Sequence, residues 1–120
     1  MSDFLGIHGT ALALREQRLQ LLASNLANAD TPGYQARDLA FSAALQAALI
    51  PGGSEPSDAI GAAASGATYQ RPALQASLDG NTVDTQREQA TFAQAALEYR
   101  ASMSFVESKV RTMLTAITGE

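Results

Sequence analysis

Apolar side chains recur in a four-three alternation along the last third of the chain, from about Asp84 to Thr118. Ala96, Met103, Val110 and Ile117 take the a positions of a heptad repeat, and Phe92, Tyr99, Val106 and Met113 take the d positions, which draws one apolar seam along a single helix. Asp84 is placed to accept from the free amides of the first turn, and Gly119 is a natural stop. Some 35 residues at about 1.5 Å each make a rod of roughly 50 Å. A rod of that length buries its seam only if another helix runs beside it. Its outer positions carry Arg87, Glu88, Glu98, Arg100, Glu107, Lys109 and Arg111, which predicts a solvated back of mixed charge. A core stripe of a helical bundle and an assembly surface both fit the seam.

The first third is helical by the same criterion, from about Asp3 to Asn28. Leu5, Leu12, Leu19 and Leu26 fall seven apart, with Ala11, Leu22 and Ala23 at neighbouring angles. A second row, Ile7, Leu14 and Leu21, lies on nearly the opposite side, so this helix is expected to be sandwiched rather than paired on one face. Gly6 and Gly9 weaken its start, each by about 1 kcal/mol relative to Ala. The stretch Asn25-Leu26-Ala27-Asn28-Ala29-Asp30-Thr31-Pro32-Gly33-Tyr34 then reads as a helix stop and a turn. Pro32 disfavours helix at Thr31, Pro-Gly suits the centre of a type II turn, and the Asn side chains can take up carbonyls freed at the helix end.

Between the two long helices the pattern is weaker. Phe41, Leu45, Ala48 and Leu49 suggest one short helix, Asp38 to Leu49, closing before Pro51. From Pro51 to Ala67 the composition is Gly, Ser, Ala and Pro, which predicts a flexible linker. Thr68 to Leu78 allows a short strand or extended arm, with Leu74 and Leu78 available for packing, and Asp79-Gly80-Asn81 is a turn into the last helix. The expected fold is all-α: long N- and C-terminal helices paired as an antiparallel coiled coil, with a short helix and a flexible or extended middle region. The divisions fall at residues 1–34, 35–83 and 84–120, and the two terminal helices form one domain.

Composition narrows the function classes. The formal charge is -4 with no run of Lys or Arg, so neither nucleic acid nor an anionic membrane surface is an expected partner. There is no cysteine, hence no disulfide framework and no thiolate metal site. The Met1-Ser2-Asp3-Phe4 start has no basic flank, continuous apolar core or small-residue cleavage site, so no cleaved secretory signal is expected. His8 is the single histidine and reads as a surface or packing residue, because no second ligand or carboxylate pair stands at metal spacing. Gly52-Gly53 lacks the Lys of a phosphate loop. No catalytic constellation, cofactor, metal site or small-molecule substrate is indicated.

The residues Asn25, Ala27, Asn28, Thr31, Pro32, Gly33 and Tyr34, closing an amphipathic N-terminal helix, resemble the signature of bacterial flagellar rod, hook and hook-associated proteins. Within that group the chain is most similar to the short proximal members of the basal-body rod family. Leu19 to Tyr34, Ala36-Arg37-Asp38, the Asp79 to Asp84 segment and the C-terminal heptads carry the likeness, about two thirds of the chain. The resemblance implies a structural rod subunit, exported from the cytoplasm without a cleaved signal and polymerised helically in the periplasmic part of the basal body. It would transmit torque from the membrane ring to the distal rod and hook. The implied partners are other copies, other rod proteins, the ring-to-rod junction protein, the membrane ring and, in transit, the export gate. Phe41 and Leu45 also resemble the Phe-x-x-x-hydrophobic element of early export substrates, although ordinary helix packing is the preferred reading. On the rod reading the seam joins the chain's own two helices and Ile7, Leu14 and Leu21 face neighbouring subunits. The alternative from another class is a self-contained helical adaptor or export chaperone that binds a partner helix in a groove.

Overall fold

The structure, a computed structural model, describes residues 5–50, 56–72 and 78–119. The elements follow the order α1 (Ile7–Ala27), β1 (Arg37–Leu39), α2 (Phe41–Leu49), α3 (Pro56–Ala67), β2 (Thr68–Gln70) and α4 (Thr85–Thr118). Asp3 as a helix start, the linker residues 51–55 with Gly52-Gly53, and Leu74 lie outside the described residues.

The two long helices pack along one another. His8 stacks on Phe105 with ring centroids 5.7 Å apart, Arg15 bonds Glu98 and Ser102, and Asn25 reaches Glu88. Later positions on α1 thus meet earlier ones on α4, which makes the pair antiparallel. The Asp84 side chain accepts from the Arg87 amide at 3.2 Å, satisfying one free donor of the first turn. Gly119 ends α4 in the left-handed conformation that favours glycine.

The middle of the chain is more ordered than its composition predicts. Pro56–Ala67 is a 12-residue helix rather than a linker. Pro56 stands at its first position, where the missing N–H has no intrahelical partner in any case. Ala63 and Ala64 are buried and Ile60 packs on the core, so tertiary cover holds a segment that Gly and Ser would leave open. The chain is also not purely helical. Arg37–Leu39, expected in part as the start of the short helix, is a strand, and it pairs antiparallel with Thr68–Gln70 in register Arg37 to Gln70, Asp38 to Tyr69 and Leu39 to Thr68.

This small sheet closes the α2–α3 hairpin against α1. Leu14, Leu39, Ala44 and Ala64 form the buried core, with Leu21, Phe41, Leu45 and Ile60 packed on it. The expectation that Ile7, Leu14 and Leu21 face neighbouring subunits is therefore corrected: Leu14 and Leu21 are covered from within the chain, and Ile7 alone of that row is exposed. The sandwich predicted for α1 is internal, α4 on one side and the hairpin on the other. Phe41 and Leu45 pack on that core, and the Arg15 guanidinium lies 4.1 Å from the centroid of the Phe41 ring.

Candidate functional site

Where α1 ends, the signature decapeptide and the segment before α4 are laced together. At the turn itself, the Tyr34 amide donates to the Thr31 carbonyl at 3.3 Å and Gly33 has φ 74°, the geometry of a type II turn with glycine at its third position. Gly33→Ala is expected to lower stability by about 1–2 kcal/mol, because a Cβ disfavours this φ whatever space surrounds it; a urea unfolding midpoint equal to that of the parent chain would contradict this.

Each Asn of the stretch has a distinct task. Asn28 Nδ2 donates to the Ser24 carbonyl at 2.8 Å, taking up an acceptor freed at the helix end, while its Oδ1 accepts from Thr31 Oγ1 at 3.0 Å. Asn25 is fully buried. Its Oδ1 accepts from the Arg37 amide at 3.0 Å and from Tyr34 Oη at 3.2 Å, and its Nδ2 donates to the Arg37 carbonyl at 2.7 Å and to Glu88 Oε2 at 3.2 Å. One amide side chain thus pairs with both backbone groups of Arg37 and ties β1 to α1. With the Tyr34 proton on Asn25, the Ser24 hydroxyl, 3.1 Å away, donates to the Tyr34 oxygen.

The second segment answers the first. Asn81 Nδ2 reaches the carbonyls of Asn28, Ala29 and Thr31 at 2.9, 3.0 and 2.7 Å. The Gly33 amide donates to the Asp79 carbonyl, the Thr82 amide to the Tyr34 carbonyl, and the Ala36 amide to Thr82 Oγ1. Gly80 also has positive φ, and a Cβ placed on it would come 3.6 Å from the Gly33 Cα. Of the signature, Asn25, Asn28, Thr31, Gly33 and Tyr34 are joined in this clasp, whereas the Ala27 and Pro32 side chains point to solvent.

Beside the clasp runs a charge network. Arg15 and Arg18 both reach Glu98, Arg18 also grips Asp38 through Nε at 2.9 Å, and Arg71 bridges Asp38 and Glu88. Three guanidinium groups thereby balance three carboxylates drawn from α1, β1, α4 and the residue after β2. Glu88 and Glu98 are not the solvated charges expected on the helix back: Glu88 is only 1% exposed and Glu98 is engaged by two arginines. The hydrogen bond that Arg18 donates to Asp38 raises the Arg18 pKa above its ordinary value, burial works against it, and the charges of Asp38 and Glu98 add to it. A raised cation stabilises the fold at all pH values below its unfolded pKa and loses that effect only far into alkali. Arg18 therefore adds no pH dependence near neutrality.

The seam is unevenly covered. Leu5, Leu12, Leu19 and Leu26 are partly buried, while Leu22, one turn along and between the two rows, is fully buried. On α4, Phe92, Ala96, Tyr99, Met103 and Val106 are partly covered, but Val110, Met113 and Ile117 are exposed, the last by 76%. The described residues hold no group of His, Cys, Asp and Glu arranged for a metal ion. The polar atoms of the clasp hold the end of α1, the turn, β1 and the segment before α4 together.

Comparison with known proteins places this construction. The model of the family described as "Flagella basal body rod protein" matches residues 5–35, which are α1 and the turn. The chain is 45% identical to the flagellar basal body rod protein FlgB of Aeromonas hydrophila, over 96% of this chain and 92% of that one. The chain belongs to the flagellar basal body rod protein family. The FlgB proteins of Cereibacter sphaeroides and Escherichia coli are 43% and 38% identical, over 98% and 89% of this chain and 96% and 87% of theirs. Rod-family membership makes this a structural protein rather than an enzyme. Arg15, Arg18 and Arg71 have no assignment from the sequence alone, and Asp38 and Asn81 enter there only within segments that carry the family likeness or make a turn. The one local signal for them is that Arg15 and Arg18 stand between two leucine rows, on an arc of α1 that has to meet something.

Proposed function

We propose that the protein is a subunit of the proximal rod, added helically to other copies and to other rod proteins, carrying torque from the membrane ring outward to the distal rod and hook. In this reading α1 and α4 act as an antiparallel coiled coil through Leu5, Leu12, Leu19 and Leu26 against Phe92, Ala96, Tyr99, Met103 and Val106. Val110, Met113 and Ile117 extend that seam to a neighbour. The ring-to-rod junction protein and the membrane ring adjoin the assembled subunit, and the export gate receives it in transit, without a cleaved signal, on the way to the periplasmic rod. No helix among the described residues is long and apolar enough to cross a membrane.

The observation that carries this reading is the end of α4. Every described residue from Glu107 to Gly119 is exposed, although the apolar spacing continues without a break. A helix end with so little tertiary support gains burial by packing on another chain. The clasp and charge network brace the opposite end, where load would otherwise open the helix pair.

Val110→Asp separates the two roles of the seam. Val110 is 37% exposed within one chain, so the isolated variant is expected to unfold within about 0.5 kcal/mol of the parent. Swimming of cells carrying it should be lost, because assembly would bury an unpaired carboxylate. Normal swimming would remove the exposed seam as an assembly surface.

A further inference from the structure

Two surfaces are left over once the chain has packed on itself. The first is the overhanging end of α4, where Glu107, Val110, Leu114 and Ile117 are spaced by three, four and three residues and share one face. The second is an open groove between α1 and α3, beside β1, lined by Gln17, Leu21, Arg37, Gly61, Ala64 and Ser65. Leu21 and Ala64 make its apolar floor. Gly61 and Ser65 keep its wall low, and a Cβ on Gly61 would meet nothing within 4 Å, which leaves room for a helix to approach closely.

Charge and length match as well. Arg37 is exposed at the groove and has no ion-pair partner among the described residues, while its backbone is held in place by Asn25. Glu107 is likewise exposed and unpaired among them. The overhang beyond Val106 and the α3 helix are each about 12 residues, roughly 18 Å long.

We propose that the end of α4 in one copy seats in the α1–α3 groove of a second copy, with Glu107 set against Arg37 and Val110, Leu114 and Ile117 over Leu21 and Ala64. The two surfaces cannot meet within one chain. Glu98 faces Arg15 and Arg18 at the level of the groove, and Leu114 stands about 24 Å further along the same rigid helix. The contact is therefore heterologous, tail into groove, and it propagates from copy to copy instead of closing on a pair. The inference rests on the self-assembly proposed above and adds which surfaces meet.

The absence of cysteine gives a direct test with the full-length protein. Ser65→Cys and Leu114→Cys, made in separate chains, mixed and oxidised, should give a mixed disulfide dimer well ahead of a control mixture of Ala23→Cys with Leu114→Cys. The double variant should give a ladder of linked oligomers. Arg37→Glu in the Ser65→Cys chain should slow trapping several-fold at unchanged helical circular dichroism, and Glu107→Arg in the other chain should restore it. Leu114→Cys homodimers forming ahead of the mixed dimer would show tail-to-tail pairing and overturn the proposal, as would trapping no better than the control. Gene deletion tests the rod reading separately: lost swimming without mixed disulfide removes only this docking, whereas normal swimming after deletion removes the rod reading itself.

Discussion

Replacing Glu88 with Ala is expected to lower the unfolding free energy by about 3–5 kcal/mol, because it strands the Arg71 guanidinium in a covered site. Glu88 is the carboxylate Arg71 engages directly, and Arg71 Nε lies 3.6 Å from Asp38 Oδ2, too long to replace that bond. Arg71 is itself only 12% exposed, so water makes up poorly for the lost partner. The deficit should come from the unpaired charge rather than from the pair as such. Joint replacement of Glu88 and Arg71 by Leu should therefore recover most of the loss, since apolar groups of similar volume often substitute for a buried pair at little cost. Urea titration followed by circular dichroism measures both. A single variant within 1 kcal/mol of the parent, or a double variant no better than the single one, would show that the network is not organised around this pair.

The second large effect is expected at Asn25. Asn25→Ala leaves the Arg37 amide and carbonyl and the Tyr34 hydroxyl without their shared partner. Each group left unsatisfied in a covered site costs about 1–3 kcal/mol, so a total of about 3 kcal/mol or more is expected. Asn25→Asp keeps the shape and the acceptor, yet it brings a second carboxylate within hydrogen-bond range of Glu88, so it should not rescue. Because Asn25 and Glu88 share a hydrogen bond, the two alanine variants should be non-additive by about 0.5 kcal/mol or more. Strict additivity in a double-mutant cycle would mean that the clasp and the charge network act independently.

Several features were open to reading from residues alone because their causes are local. The heptad spacing of Phe92 to Ile117 marks a helix whatever surrounds it. Asp84, Gly119 and the Pro32-Gly33 pair act through the backbone of their own turns, so their positions carried over directly. The signature residues were legible by resemblance. Their partners were less so: the Asp79 to Asp84 segment was recognisable as a turn, but nothing in it announces that Asn81 spans three carbonyls some 50 positions earlier in the chain.

Other features were decided only when distant segments met. A stretch as poor in large apolar residues as Pro56–Ala67 carries no strong periodic signal, and it is helical here because α1 and α2 cover Ile60, Ala63 and Ala64. Glu88 has the spacing of a surface charge and is buried because Arg71 and Asn25 arrive to pair with it. Two leucine rows on α1 announced that the helix would be covered on two sides but not by what, and the α2–α3 hairpin took the side that a neighbouring subunit was expected to take. Periodicity records how much of a helix is to be covered, and local turn chemistry records where it ends. The identity of the covering group, and the fate of each charge beside it, is settled by contacts between residues 20 to 87 positions apart, which no local pattern encodes.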